Sequence, residues 1–218
     1  MFLKEELLGI SNLHLSKGFL KEFNYNCTCD ANATEFLSLN CVGKKSIDLR
    51  DKMIFEAQKT KTDCNLTCRK IMSSLQVIPE NPTENGNQSF YQTSIESEDH
   101  KNLILNSDDF VNGMSYIDKA LEAGDPVMVG VNHILNYGYN ETPNTSDHYV
   151  IIVGKFCDDN IPKYRFWDVA TKRGAEEDFK FTLTSEKLFS DEVWKNGRTY
   201  TLTQVRRNLD LKGKLIEY

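Results

Sequence analysis

The chain reads as an α+β domain whose helices precede its strands. Three observations support that expectation. Cys68, Ile71, Met72 and Leu75 recur at the spacing of one helix face. After Gly124-Asp125-Pro126 the apolar spacing changes from helical to strand-like. The later apolar runs are separated by short loops containing Asn, Asp, Gly or Pro, as in an antiparallel sheet.

In chain order, residues 1–45 carry mixed patterning, with Leu3, Leu7, Leu8 and Ile10, then Phe19, Phe23 and Tyr25, then a Cys/Asn/Thr segment. They read as an N-terminal extension ahead of one domain over 46–218. The total of 218 residues suits a single sizeable core. Residues 49–57 form either a short helix or an extended approach to Gln58. The clearest helix spans 64–75, with Thr62 or Asp63 at its N-cap and Pro79 and Pro82 beyond its end. Residues 79–107 are polar, with few apolar anchors, and read as a long surface connection. A second helix is expected over 110–122. Ser107, Asp108 and Asp109 suit its positive end, and Gly124 suits its C-terminal cap. Strands are expected over 127–133, 148–155, 163–169, 179–183 and 199–205. The loop from Asn136 to Asp147 is longer than a hairpin needs and lies just before His148.

Composition excludes several classes. The formal charge is −6 and no Lys/Arg stripe is present, which argues against nucleic acid as a partner. The apolar runs are strand-sized, far short of a membrane span. The N-terminus has no basic region followed by an apolar block, so no secretory signal is read on it. The protein is then expected in the cytoplasm as synthesised, or exported by a route that needs no cleaved signal. Six cysteines, at 27, 29, 41, 64, 68 and 157, are too widely spaced for a disulfide scaffold. Cys27, Cys29 and Cys41 could hold a metal or a disulfide, but no fourth ligand follows. The six Asn-x-Ser/Thr sequons fit chance in a chain rich in those residues. Cys157 and Asp158-Asp159-Asn160 read as an ordinary hairpin connection, and Arg206-Arg207 and Lys172-Arg173 as solvated faces.

The chemistry-bearing residues fall in an informative order. Cys64 opens the first helix, where unpaired backbone N–H groups and the helix dipole favour a thiolate. His148, at the start of an apolar strand, is the candidate base and proton donor. Asp168, beside Trp167, is the candidate that fixes the imidazole tautomer. Gln58, six positions before Cys64, offers a side-chain N–H to a tetrahedral oxyanion, with the Cys64 amide as the second donor. Cys68, in the apolar stripe, reads as a buried hydrophobe. His133 is a competing base or a substrate contact, and His14 and His100 receive no role.

Gln58-x5-Cys64 at a helix start, Asp147-His148-Tyr149-Val150-Ile151-Ile152-Val153-Gly154 and Phe166-Trp167-Asp168 together resemble the papain-like cysteine peptidase superfamily. Thr62-Asp63-Cys64-Asn65 and Gly124-Asp125-Pro126-Val127 look most like its bacterial double-glycine-leader peptidases, although Asn65 stands where many members have glycine. The similarity covers roughly residues 50–205. It implies a papain-like fold with N-terminal helices packed on a C-terminal antiparallel sheet. In this chain Cys64 would be nucleophile, His148 base, Asp168 orienter and Gln58 oxyanion donor. It also implies hydrolysis of a peptide or amide bond without metal or organic cofactor. The substrate is then either a protein or leader peptide or, as in related amidases and antibacterial toxins, a bacterial cell-wall peptide. A toxin of that kind would need an immunity partner. A non-catalytic binding module on the same scaffold, and acyl transfer in place of hydrolysis, are the alternatives.

Overall fold

The computed structural model describes residues 41, 45–80, 90–135, 145–176, 178–184, 187–190 and 199–218. In chain order the elements are β1 (Ile47–Asp48), a 3-10 turn (Arg50–Lys52), α1 (Cys64–Ser73), β2 (Val77–Pro79), β3 (Phe90–Gln92), β4 (Ser94–Glu96), β5 (Leu103–Leu105) and α2 (Ser107–Ala123). There follow β6 (Val127–Asn132), β7 (His148–Asp158), β8 (Ile161–Trp167), β9 (Lys180–Leu183), β10 (Leu188–Ser190), β11 (Thr201–Arg206) and β12 (Asn208–Asp210).

The architecture corrects the expected fold class. Strands β7, β6, β11, β10, β9 and β8 pair in that order, and β8 pairs back to β7, closing a six-stranded antiparallel barrel. The molecule is mostly sheet, with two α-helices among the described residues. It is not a papain-like layer of helices on an open sheet. The reason lies in pairings distant in sequence. Val129 of β6 lies opposite Val205 of β11, and Phe189 of β10 opposite Thr201 of β11. The register shifts in β7 between Ile152 and Gly154, and in β11 between Leu202 and Gln204. Such irregularities bend strands and increase their twist, which barrel closure requires.

Helices and strands are also interleaved rather than segregated. Residues 79–107, expected to be a surface connection, carry three short strands. β3 pairs with the end of β11, and β4 and β5 form a separate hairpin with Ile95 opposite Ile104. Residues 81–89 lie outside the described residues. The first helix stops at Ser73, short of Leu75, because the chain turns at Gln76 (φ 65°) to enter β2. β2 then pairs with β12.

Every residue of β6 is buried, as are Val150, Ile151, Ile152 and Val153 of β7, so these strands are covered on both faces. α1 buries Cys64, Thr67, Cys68, Ile71 and Met72, and α2 buries Phe110, Met114, Ile117, Ala120 and Leu121. Each fully buried large apolar side chain contributes about 1.5–3 kcal/mol relative to exposure. Asn106 caps α2 by accepting from the Asp109 amide, and Gly124 ends it in the left-handed conformation at φ 94°. Asp118 of α2 ties the helix to the barrel, accepting from Lys155 Nζ at 2.5 Å and from the Tyr164 hydroxyl at 2.8 Å.

Two smaller expectations are also corrected. Asp159 and Asn160, both at positive φ, form the two-residue turn between β7 and β8, but Cys157 is more than part of a hairpin. It is disulfide-bonded to Cys41, 116 positions away. Arg206 is not on a solvated face. It is 4% exposed, donates to the Tyr149 hydroxyl at 2.7 Å, and lies over the Phe90 and Tyr149 rings. No helix among the described residues is long and apolar enough to cross a membrane.

Candidate active site

The site forms at one end of the barrel, where α1 begins, β7 starts and β8 finishes. Cys64 is the first residue of α1. The preceding turn is set by Asp63, whose carboxylate accepts from the Thr60 amide at 3.2 Å while its carbonyl accepts the first helical bond, from Thr67 N–H, at 2.8 Å. Cys64 is thereby placed where helix N–H groups lack helical acceptors. Its neighbour one turn on, Cys68, is fully buried, and its Sγ lies 3.6 Å from the Tyr149 carbonyl, its acceptor on β7.

His148 opens β7, opposite Val131 of β6, and is 7% exposed. Its Nε2 lies 2.8 Å from Asp168 Oδ1. The remaining ring nitrogen, Nδ1, is left for Cys64, and the thiol and imidazole are near enough for each to shift the other's proton affinity. Asp168 follows β8 directly and is fully buried. Besides His148 it accepts from the Ala170 amide at 2.9 Å on Oδ1 and from the Tyr200 hydroxyl at 2.9 Å on Oδ2. Gly174 permits this turn. A Cβ there would stand 1.9 Å from the Asp168 carbonyl oxygen, so only glycine lets the loop fold back over the carboxylate-bearing residue.

Opposing effects act on each of the three groups. Burial pushes the Cys64 thiol up, but the His148 hydrogen bond and charge, with backbone hydrogen bonds at Tyr149 and Asn65, bring it below the usual thiol value. Burial pushes His148 down, yet Asp168 and Cys64 together raise it to about 9. Burial also raises Asp168, and the His148, Ala170 and Tyr200 contacts hold it below the ordinary carboxylate value. Cys68 is raised well above a free thiol, first by burial and then by the negative charges of Cys64 and Asp168. The arrangement therefore favours a thiolate at Cys64 beside an imidazolium at His148, and keeps Cys68 a neutral thiol.

Gln58 lies in the approach to α1, as the sequence reading allowed. Its amide donates to the Val169 carbonyl at 2.8 Å, fixing the segment beside the residue after Asp168. Its side-chain Oε1 is a buried atom without a hydrogen-bond partner. The structure thus joins His148 to Asp168 by a hydrogen bond, sets Cys64 within electrostatic reach of His148, and joins Gln58 to the edge of the group through main chain.

His133, the competing base, engages a different carboxylate. Its Nδ1 pairs with Asp147 Oδ1, while its own amide and that of Ile134 each donate to Asp147 Oδ2 at 3.0 Å. Tyr200, which reaches Asp168, and Asp147, which holds His133 beside it, are the residues that sequence reasoning missed. Tyr200 carries no motif and reads only as an aromatic at a strand start, although Asp147 stood beside His148 in plain view. Cys27 and Cys29 lie outside the described residues. Cys41, the third member of the suggested metal or disulfide set, is bonded to Cys157 instead. Among the described residues no three His, Cys, Asp or Glu side chains are grouped to hold a metal ion.

No protein-family model, curated protein or solved structure matches this chain. The functional reading therefore rests on the site itself.

Proposed function

We propose that the protein is a thiol hydrolase that cleaves a peptide or other amide bond through an acyl-enzyme on Cys64. The observation that carries this reading is the buried His148–Asp168 hydrogen bond beside Cys64, the first residue of α1. The Cys64 thiolate attacks the scissile carbonyl carbon, forming the C–S bond and moving the carbonyl electrons onto oxygen. The Cys64 amide and the Gln58 side-chain amide donate to that oxyanion. As the tetrahedral species collapses, the C–N bond breaks and His148 Nδ1 gives its proton to the leaving amine. Water then attacks the thioester with His148 as base, releasing the carboxylic acid and restoring the thiolate and imidazolium. Asp168 holds the ring through Nε2 and stabilises its charge. The chemistry needs a thiol, an imidazole and a carboxylate, and calls on no metal or organic cofactor.

The resemblance in motif order to papain-like peptidases supports an amide bond as the target. The two substrate classes are a bacterial cell-wall peptide and a protein or leader peptide, and we favour the first. The Cys41–Cys157 disulfide supports an oxidising compartment as the place of action, such as the periplasm or the outside of the cell. A producer cell would then need an immunity protein against it. The test exports the active chain and Cys64→Ala to the bacterial periplasm, alongside assays of both on purified peptidoglycan and on protein substrates. Lysis and new peptidoglycan termini with the active chain alone are expected. Equal activity of Cys64→Ala on either substrate would refute the thiol mechanism, and cleavage of proteins only would shift the substrate class.

A further inference from the structure

Three hydrogen bonds reach the Asp168 carboxylate, and one comes from neither His148 nor the turn that Asp168 itself begins. It comes from Tyr200, which immediately precedes β11 and is 3% exposed. The Tyr200 backbone is clamped to the end of β10: its amide donates to Ser190 Oγ at 2.7 Å, and its carbonyl accepts from the Ser190 amide at 2.8 Å. Its ring contacts three others, with centroids 5.7 Å from His148, 5.6 Å from His133 and 6.1 Å from Phe166. Both its backbone and its ring are therefore fixed, and its hydroxyl is delivered to one carboxylate oxygen.

We propose that Tyr200 is a positioning residue of the thiol centre, setting the rotation of the Asp168 carboxylate and walling the His148 ring so that Nδ1 stays aimed at Cys64. This inference rests on the thiol hydrolase reading. Oδ1 serves two donors at once, His148 Nε2–H and the Ala170 amide. Without a donor on Oδ2 the carboxylate would turn to share its charge differently, leaving a buried oxygen unsatisfied and the imidazole less firmly held. The titratable groups acting on Asp168 are His148 from β7 and Tyr200, and Asp168 itself acts on Cys68 of α1; Cys64 acts on His148. The His133–Asp147 pair at the end of β6 meets the Tyr200 ring rather than the carboxylate.

Tyr200→Phe keeps the ring and deletes the hydroxyl. The readout is the pH profile of iodoacetamide alkylation at Cys64, measured by peptide mass spectrometry in the full chain. Wild type, His148→Ala, Asp168→Asn and the Tyr200→Phe/Asp168→Asn double variant are run in parallel, with thermal melts as a folding control. Tyr200→Phe is expected to move the acidic inflection upward, slowing alkylation at the wild-type midpoint by about 3–10-fold. It is expected to add no further slowing on the Asp168→Asn background, because it acts through that carboxylate. An unchanged inflection, or full additivity in the double variant, overturns the role of Tyr200. A wild-type profile that does not depend on His148 overturns the hydrolase reading beneath it.

Discussion

His148 presents Nε2 to Asp168, 2.8 Å from Oδ1, and this single contact decides which face of the ring is available for chemistry. With Nε2–H committed to a buried carboxylate, Nδ1 is the nitrogen left for proton exchange, which the proposed mechanism assigns to Cys64. The barrel sets this geometry, since His148 starts β7 and Asp168 lies just past the end of its paired strand β8.

If the tautomer matters, Asp168→Asn should lower kcat/KM by about 100–10,000-fold while leaving the fold intact. An amide can donate to Nε2 as well as accept from it, so the ring is no longer held in one form. Steady-state kinetics with any cleaved substrate checks this. A change smaller than threefold would remove Asp168 from the site.

The pH dependence follows from the directions of the two shifts. Cys64 is lowered, so thiolate forms below the usual thiol range, and His148 is raised to about 9, so the imidazolium persists to that pH. Turnover should be bell-shaped, rising as Cys64 deprotonates and falling near pH 9 as His148 loses its proton. For stability the sign is that of a raised base. The His148 contribution is fully present below its unfolded value of about 6.5 and is lost as pH rises through about 9. A rate that climbs without a fall through pH 10 would contradict the assignment.

Gln58→Ala should lower kcat by about 10–1000-fold with little change in KM, because the donor acts on an oxyanion present only in the transition state. A raised KM at constant kcat would mean that Gln58 binds substrate instead.

The Cys41–Cys157 bond closes a sequence separation of 116 residues. Replacing Cys157 by Ser should cost about 2–5 kcal/mol in denaturant unfolding, and should leave the thiol reactivity of Cys64 unchanged below the transition. A loss of Cys64 reactivity without loss of stability would indicate that the bond shapes the site.

Local signals made part of this molecule readable from sequence. α1 begins at Cys64 as the polar turn and apolar stripe imply, and the apolar runs of β6, β7 and β8 appear where periodicity places them. Closure of the barrel was not readable. β10 has three residues, and its neighbours are chosen by pairings that no short window records. The strands β3, β4 and β5 were hidden for the same reason, each being three residues long in a polar stretch. Arg206 looked like a surface charge because its partners, Tyr149 and Phe90, are far away in the chain. The order Cys64, His148, Asp168 was visible as residue types, whereas Tyr200 became visible only through the oxygen it reaches.

The most direct test of the central claim is the rate of iodoacetamide alkylation at Cys64 and Cys68 from pH 4 to 10, in wild type and His148→Ala. The account predicts that Cys64 reacts with an inflection below the free-thiol value of about 8.5, that the inflection moves up in His148→Ala, and that Cys68 stays unlabelled in the folded chain. A Cys64 profile centred on the free-thiol value and indifferent to His148 would contradict it.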